Sequence, residues 1–145
     1  MPVVCVTRKE TFSAAHKVTI PTWTDEQNYQ RFGKCANPNF HGHNYTLYVT
    51  VKGEVSEETG FVMDLKILSD TINDLVIELV DHKNLSLEVA FLENKTPSTE
   101  NVAIGFWDIL APAVAVHGVC LYKITLYETP NNFVEYYGQA NLNLS

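Results

Sequence analysis

The sequence predicts a single α+β domain in which an antiparallel sheet carries two helices on one face. Two strand-like segments open the chain, two main helix-like segments follow, and two more strand-like segments close it, so the predicted order is β-β-α-α-β-β. Elements that are segregated in this way, rather than alternating, are typical of antiparallel sheets with helices packed on one side. The 145 residues suit one domain with one core, and no repeat or linker divides residues 1–145.

Four strands are predicted from composition and alternation. Residues 3–16 are rich in Val, Thr and Phe, whereas residues 43–55 alternate between apolar and polar types. Residues 119–128 and 132–138 supply the last two strands. The apolar face of the second strand consists of Tyr45, Leu47, Val49 and Val51. Because an antiparallel sheet commonly buries one face, these four residues are expected in the core.

The first main helix is predicted to begin after Asp64 as N-cap and to continue to Val80. Its expected buried stripe is Leu68, Ile72, Leu75, Val76 and Leu79. A shorter helix is predicted earlier, within the otherwise irregular residues 17–40, because Thr24 and Gln27 fit a capping box.

The second main helix is predicted to begin at Ser98 or Thr99, either of which can serve as its cap. Pro112 is expected to weaken the far end of this helix, and Gly118 to mark its stop. Its expected buried stripe is Val102, Phe106, Ile109 and Leu110.

Charge and cysteine content limit the classes of function. A formal net charge of −7 counts against nucleic acid or an anionic membrane as the general partner. No apolar run approaches the roughly 20 residues that span a bilayer, and the first residues lack the features of a secretory signal. The three cysteines, Cys5, Cys35 and Cys120, are scattered and odd in number, which favours a reducing, cytosolic compartment. Cys5 and Cys120 lie in apolar strand segments and are expected to be small core residues.

Three histidines are candidate ligands of a metal ion. His41 and His43 stand at i and i+2, so on a strand their side chains point to the same side. Gly42 between them is expected to remove a side chain where the backbone approaches the metal. His16 ends the first strand, and antiparallel pairing would bring it beside this pair. Catalytic zinc sites commonly use three protein ligands and leave a fourth position open, so the sequence predicts an open Zn²⁺ site.

The spacing of the histidines alone leaves two other interpretations open. Two strand histidines can form ordinary hydrogen bonds, and short motifs of this kind produce false positives. A closed structural zinc site is the other interpretation, which the absence of cysteine from the set disfavours.

Six segments carry a pattern that is more specific than the histidine spacing. They are residues 12–16, 32–45, 60–65, 81–85, 98–103 and 127–129. Together, in this order and over nearly the whole chain, they resemble the 6-pyruvoyl-tetrahydropterin synthases of the animal type.

The resemblance implies a fold, an assembly and a reaction. Family subunits adopt the tunnelling fold, in which β-β-α-α-β-β subunits form trimeric barrels that stack into a homohexamer, a dimer of trimers. The implied enzyme is a cytoplasmic lyase of tetrahydrobiopterin biosynthesis. It converts the pterin substrate 7,8-dihydroneopterin triphosphate to 6-pyruvoyl-tetrahydropterin with loss of triphosphate. Zn²⁺ is the implied cofactor, because a Lewis acid can bind the hydroxyl oxygens of the substrate side chain.

The resemblance also implies which residues move protons. Cys35 is implied as the base that removes carbon-bound protons, a task for which its thiol must be activated by a nearby cation or hydrogen bond. Asp81 and His82 are implied as a second catalytic pair, supplied by a neighbouring subunit, in which the carboxylate orients the imidazole. From the residues alone, a simple loop after a helix is the preferred interpretation of the Asp-His dipeptide.

The implied substrate pocket contains Glu128. One carboxylate can accept hydrogen bonds from a pterin ring N–H and from the adjacent amino group. Thr99 and Glu100 are candidates for the same pocket, although capping of the second helix explains both about equally well.

The spacing around Cys35 bears on the nearest alternatives. Five residues separate Cys35 from His41, as in the animal-type enzymes, whereas 6-carboxy-tetrahydropterin synthases typically have three. A non-catalytic pterin- or zinc-binding protein is the other alternative, and it has no use for Cys35, Asp81 and His82. Phe40, beside a histidine ligand, departs from the small residue that is common in the family.

Overall fold

The computed structural model of the chain describes residues 1–139 and contains one five-stranded sheet. The strands are β1 (Val3–His16), β2 (His41–Glu54), β3 (Lys83–Asn84), β4 (Cys120–Thr129) and β5 (Asn132–Tyr136). The helices are α1 (Asp25–Phe32), α2 (Leu65–Ile72), α3 (Glu78–Val80) and α4 (Thr99–Ala115). The predicted α+β class is confirmed, whereas the barrel between subunits stays a prediction. Residues 140–145 of the predicted domain lie outside the described residues.

The sheet has the strand order β3-β1-β2-β4-β5. β1 and β2 pair antiparallel over fourteen positions, from Val3 opposite Glu54 to His16 opposite His41. β2 therefore begins two residues earlier than predicted. The two-residue strand β3 was not predicted, because so short a segment has no alternation to detect. It runs parallel to β1 and holds the chain just after α3 against that strand.

A single core lies between one face of the sheet and the helices α2 and α4. The sheet contributes Tyr45, Leu47, Val49 and Val51, as predicted, and all four are buried. In α4, the predicted residues Val102, Phe106 and Leu110 are buried, and Ile109 packs against the core. No helix among residues 1–139 is both long enough and apolar enough to cross a membrane.

The predicted stripe of the first main helix is wrong in its second half. Leu68, Ile72 and Val76 are buried, but Leu75 and Leu79 are 39% and 44% exposed. A π-helical segment, Asn73–Ile77, joins α2 to α3. Because such a segment hydrogen-bonds i to i+5, it inserts one residue and shifts the following buried positions to Ile77 and Val80.

The predicted helix caps are present. Thr24 and Gln27 form the reciprocal capping box of α1, and Asp64 Oδ1 accepts the Lys66 N–H at 2.8 Å. Of the two candidates for α4, Ser98 is the cap, since its Oγ accepts the Asn101 N–H at 3.2 Å. Pro112 lies within α4 without ending it.

Two of the cysteines are not in the core, contrary to prediction. Cys5 and Cys120 are both exposed. Each lies opposite Lys52 of β2, so the three residues form one row across the sheet. The apolar residues that flank Cys5 and Cys120 in the sequence do not predict the burial of these two side chains. Successive side chains of a strand point to opposite faces of the sheet, and this row points away from the helices.

Candidate metal centre and substrate pocket

The three predicted histidine ligands lie together at the adjoining ends of β1 and β2. His16 is the last residue of β1 and pairs with His41, the first residue of β2. The ring centroid of His16 lies 4.6 Å from that of His41 and 5.1 Å from that of His43. The centroids of His41 and His43 are 4.8 Å apart. Strand alternation puts His41 and His43 on the same face, as the sequence predicted.

A fourth potential ligand, the carboxylate of Glu128, completes this cluster. Its Oε1 lies 3.2 Å from Nε2 of His16 and 3.1 Å from Nε2 of His43. The four ligand atoms of His16, His41, His43 and Glu128 all lie within 4.8 Å of one another. The sequence indicated Glu128 only as a pterin contact. Its place beside the histidines follows from the pairing of β2 with β4, which the sequence does not reveal.

The tautomer of His16 is determined by the hydrogen bond at its other nitrogen. Nδ1 lies 2.7 Å from the carbonyl oxygen of Pro97, which can only accept a hydrogen bond, so Nδ1 carries the proton. In the neutral form of this tautomer, Nε2 carries a lone pair that can bind a metal ion. The Nε2 atoms of His16 and His43 are buried and have no hydrogen-bond partner among the described residues. A buried lone pair that faces a carboxylate oxygen is unfavourable without a cation between them. The residues therefore fit a bound metal ion.

The surroundings of His41 and His43 lower the pKa of each and favour the neutral imidazole. Burial lowers the pKa of His41 from its ordinary value of 6.5, and the neighbouring His16 and His43 lower it further. Burial also lowers the pKa of His43, although the charge of Glu128 opposes this. Neutral imidazole is the form that binds metal, so the cluster is ready to bind a cation near neutral pH.

The steric role predicted for Gly42 is wrong. A Cβ at this position would meet only the carbonyl oxygen of Ala14, at an ordinary contact distance of 3.6 Å. Gly42 alternates with His41 and His43 along β2, so a side chain there would point to the opposite face of the sheet.

Cys35 lies in a 3₁₀ turn, Gly33–Ala36, and its side chain is exposed. Its carbonyl oxygen accepts the Val18 N–H at 2.7 Å, which ties the turn to the chain two residues after His16. The thiol is not part of the four-ligand cluster found among residues 1–139. Phe40, which precedes His41, has a positive φ of 66°, and the Lys17 ammonium lies 4.9 Å from its ring centroid.

Asp81 and His82 form a pair at the end of α3, outside the histidine cluster. Asp81 Oδ1 accepts the Ser13 N–H at 3.0 Å and lies 3.1 Å from Nδ1 of His82. The His82 side chain is 83% exposed and its φ is 59°, so the backbone presents the imidazole to solvent. The Ser13 hydrogen bond is the main cause of the lowered pKa of Asp81. His82, but not Asp81, lines a cavity of about 520 Å³ together with Ser13, His43, Asn44 and Glu88, among others.

The three residues predicted for the substrate pocket line one small cavity. Thr99, Glu100 and Glu128 surround a space of about 130 Å³ together with the start of β5. Thr99 is buried although Ser98, not Thr99, caps α4, so capping does not account for Thr99. Glu128 therefore belongs both to this cavity and to the histidine cluster.

The fold and the site define an α+β protein with a cluster of three histidines and a glutamate that could hold a metal ion, beside a small cavity. Residues 5–139 match the family described as 6-pyruvoyl tetrahydropterin synthase. The chain belongs to this family and is an enzyme of the lyase class.

Two curated relatives and one solved structure illustrate the similarity. The 6-pyruvoyl tetrahydrobiopterin synthases of Pongo abelii and Homo sapiens are 46% and 45% identical to the chain over 134 residues. Each match covers 92% of this chain and 91% of the relative. The structure of Caenorhabditis elegans 6-pyruvoyl tetrahydropterin synthase superposes with a TM-score of 0.89 at 40% identity, covering 96% of this chain and 98% of that one.

Proposed function

We propose that the chain is a zinc-dependent lyase that converts 7,8-dihydroneopterin triphosphate to 6-pyruvoyl-tetrahydropterin and triphosphate in tetrahydrobiopterin biosynthesis. The observation that carries this proposal is that Glu128 borders both the histidine cluster and the cavity lined by Thr99 and Glu100. A metal centre and an organic-ligand pocket thus share one wall. A pterin ring in the cavity would bring its side chain to the metal. The three free thiols of the described residues fit the reducing, cytosolic compartment predicted from the sequence.

His16, His41 and His43 would hold the zinc ion through nitrogen donors. The Pro97 carbonyl keeps Nε2 of His16 unprotonated, and such outer-shell bonds orient histidine ligands. When bound, zinc supplies Lewis-acid stabilisation of the negative charge that develops on the substrate oxygens as carbon-bound protons leave.

Proton transfer is assigned to Cys35 and to the Asp81–His82 pair. Cys35 lies on a turn that is tied to the chain beside His16, and its exposed thiol is accessible to a substrate at this end of β1 and β2. Asp81 is held by Ser13 and adjoins Nδ1 of His82, which leaves the outer edge of the imidazole free to pass protons.

The location of His82 supports a site shared between subunits. The pair lies outside its own chain's histidine cluster and is largely exposed. We therefore assign the pair to the active site of a neighbouring subunit within a homohexamer, a dimer of trimers. Edge strands β3 and β5 are then covered by other subunits, which removes the unpaired edges that a sheet otherwise presents.

Turnover of 7,8-dihydroneopterin triphosphate by the purified, zinc-loaded protein, with chromatographic identification of the products, tests the proposal. We expect 6-pyruvoyl-tetrahydropterin and triphosphate in equal amounts. A 6-carboxylated product would identify the chain as a 6-carboxy-tetrahydropterin synthase instead, and binding without turnover would identify it as a pterin-binding protein.

A further inference from the structure

Phe40, the residue before β2, has a backbone conformation that suits glycine. Its φ is 66°, in the left-handed region where a bulky side chain is an outlier. The conformation belongs to a tight turn, in which the Phe40 N–H donates to the carbonyl oxygen of Asn37 at 3.0 Å. A glycine would adopt this turn without strain. Strain of this kind points to a use for the side chain that the backbone does not explain.

The Phe40 ring contacts a cation. The Lys17 ammonium lies 4.9 Å from the ring centroid, within the range of a cation–π interaction. Lys17 follows the last residue of β1 and Phe40 precedes the first residue of β2, so the contact lies beside the paired histidines at these strand ends. The Lys17 N–H also donates to Ser86 Oγ at 3.1 Å, which fixes the backbone from which the side chain extends.

The positive charge of Lys17 is not neutralised by the part of the chain that the structure describes. No carboxylate among residues 1–139 forms an ion pair with its ammonium. An aromatic ring, unlike a carboxylate, holds a cation in place and leaves its charge intact. The chain has a formal net charge of −7, so as a whole it repels a polyanion. An anionic ligand therefore needs a local cation of this kind.

The same segment connects this cation to the thiol of the proposed base. The carbonyl oxygen of Cys35 accepts the N–H of Val18, the residue after Lys17, at 2.7 Å. A second cation, Arg31, lies 5.7 Å from the ring centroid of Phe32 and likewise forms no ion pair among residues 1–139. The turn that carries Cys35 thus lies between two cations that are held on aromatic rings.

We propose that Lys17 binds the phosphate chain of the substrate, and that Phe40 is a positioning residue that holds the Lys17 ammonium for this purpose. The inference rests on the proposed function, because it takes a pterin triphosphate as the ligand. A lysine ammonium binds phosphate oxygens as a compact charge with three donors. The triphosphate of this substrate is attached to the side chain that bears the hydroxyl groups. It therefore comes close to the histidines when those hydroxyls do.

Calorimetric titration of the zinc-loaded protein at low ionic strength tests the two parts of the ligand separately. Inorganic triphosphate is one probe, and 7,8-dihydroneopterin, which lacks phosphates, is the other. Lys17→Met removes the charge and keeps an unbranched side chain, whereas Lys17→Arg keeps the charge. Phe40→Gly removes the ring and suits the φ of 66°. Lys66→Met is the matched control, because Lys66 is an exposed lysine that pairs with Asp70 on α2.

Lys17→Met should weaken triphosphate binding about 10–100-fold, the loss that corresponds to one charge-assisted hydrogen bond. Its affinity for dihydroneopterin should be unchanged. Lys17→Arg should restore most of the triphosphate affinity, because a guanidinium also binds phosphate and packs on aromatic rings. Phe40→Gly should weaken triphosphate binding about 2–5-fold, which corresponds to an exposed cation–π contact. Lys66→Met should bind both probes as the wild type does.

Wild-type triphosphate affinity in Lys17→Met would overturn the phosphate assignment and leave the proposed function standing. An equal loss of dihydroneopterin affinity in this variant would also overturn it, because Lys17 would then support the pocket rather than the phosphates. Wild-type triphosphate affinity in Phe40→Gly would overturn the positioning role. If the wild type binds triphosphate through Lys17 but does not turn over the substrate, the proposed function fails and the anion site stands.

Discussion

Nδ1 of His16 donates a hydrogen bond of 2.7 Å to the carbonyl oxygen of Pro97. This bond joins the end of β1 to the residue that precedes the cap of α4, 81 positions away in sequence. It orients the imidazole with Nε2 toward Glu128, and in this tautomer of the neutral ring Nε2 carries a lone pair rather than a proton. The start of α4 therefore supports the histidine cluster on one side and, through Thr99, lines the small cavity on the other.

Zinc content should depend on the clustered histidines. The wild type should hold about one zinc per subunit, since one ligand set is present among residues 1–139. His43→Ala should lose most of the metal and remain folded, because the large apolar core does not involve this side chain. His117→Ala, at the far end of α4, is the control and should retain zinc. Elemental analysis after dialysis measures both, and full occupancy in His43→Ala would disprove the ligand assignment.

Cys35→Ala should separate binding from turnover. The thiol is exposed on a turn, so its removal opens no core cavity, and zinc content and pterin affinity should be unchanged. Turnover should fall about 10²–10⁴-fold, the typical contribution of a positioned base. Cys120→Ala removes another exposed thiol and should keep wild-type activity. Activity near the wild-type value in Cys35→Ala would leave His82 as the candidate base.

A shared active site predicts complementation between inactive variants. Cys35→Ala and His82→Ala should each be inactive. When the two are unfolded and refolded together, some sites combine an intact Cys35 with an intact His82 from a neighbour, and activity should return. Light scattering should show the same hexamer for all samples. Failure of mixed hexamers to regain activity would place both residues in one subunit's site.

Gly105→Ala should destabilise the protein, although Ala is the better helix former. A Cβ at this position of α4 would lie 2.3 Å from two ring carbons of Phe91. Overpacking of this kind typically costs about 1–3 kcal/mol, more than the roughly 1 kcal/mol gained from helix propensity. Urea unfolding measures the difference in the free energy of unfolding. In a Phe91→Ala background, Gly105→Ala should be neutral or stabilising. If the effects of the two substitutions on the free energy of unfolding were simply additive, the contact between residue 105 and the Phe91 ring would be contradicted.

The stability contributed by Asp81 should be lost in acid. Its pKa in the folded protein is below the ordinary 3.8, mainly because the carboxylate accepts the Ser13 N–H. The contribution is therefore fully present above that value and disappears as the pH falls through the lower, folded pKa. The free energy of unfolding of wild type minus that of Asp81→Asn should be small and positive at pH 7. It should shrink below about pH 4. Asp108→Asn, which also removes one carboxylate, is the control. If the difference in the free energy of unfolding between wild type and Asp81→Asn did not vary with pH, the hydrogen bond from Ser13 would not be the cause.

Local signals in the sequence predicted the main elements of the fold, though not the two-residue strand β3, and three of the four clustered side chains. The alternation along β1 and β2, the capping residues Thr24 and Asp64, and the spacing of His41 and His43 all report on neighbours within a few positions. His16 could be added because β1 and β2 are consecutive strands, and consecutive antiparallel strands usually pair. Such features depend on backbone geometry that repeats every two or 3.6 residues, so they can be predicted from local sequence without knowledge of the tertiary structure.

Only the tertiary structure decided where Glu128 lies and which faces are covered. Glu128 reaches the histidines because β4 pairs with β2 in a particular register, and register is a long-range property that local sequence does not encode. The exposure of Cys5 and Cys120 likewise depends on which side of the sheet the helices cover. The π-helical segment Asn73–Ile77 breaks the ideal helical period, so the spacing of apolar residues did not reveal that Leu75 is exposed. The sequence by itself therefore determined the order of the main elements and which three histidines come together. The place of Glu128 beside the histidines, the cavity it lines and the faces left exposed were decided by contacts between residues far apart in the chain.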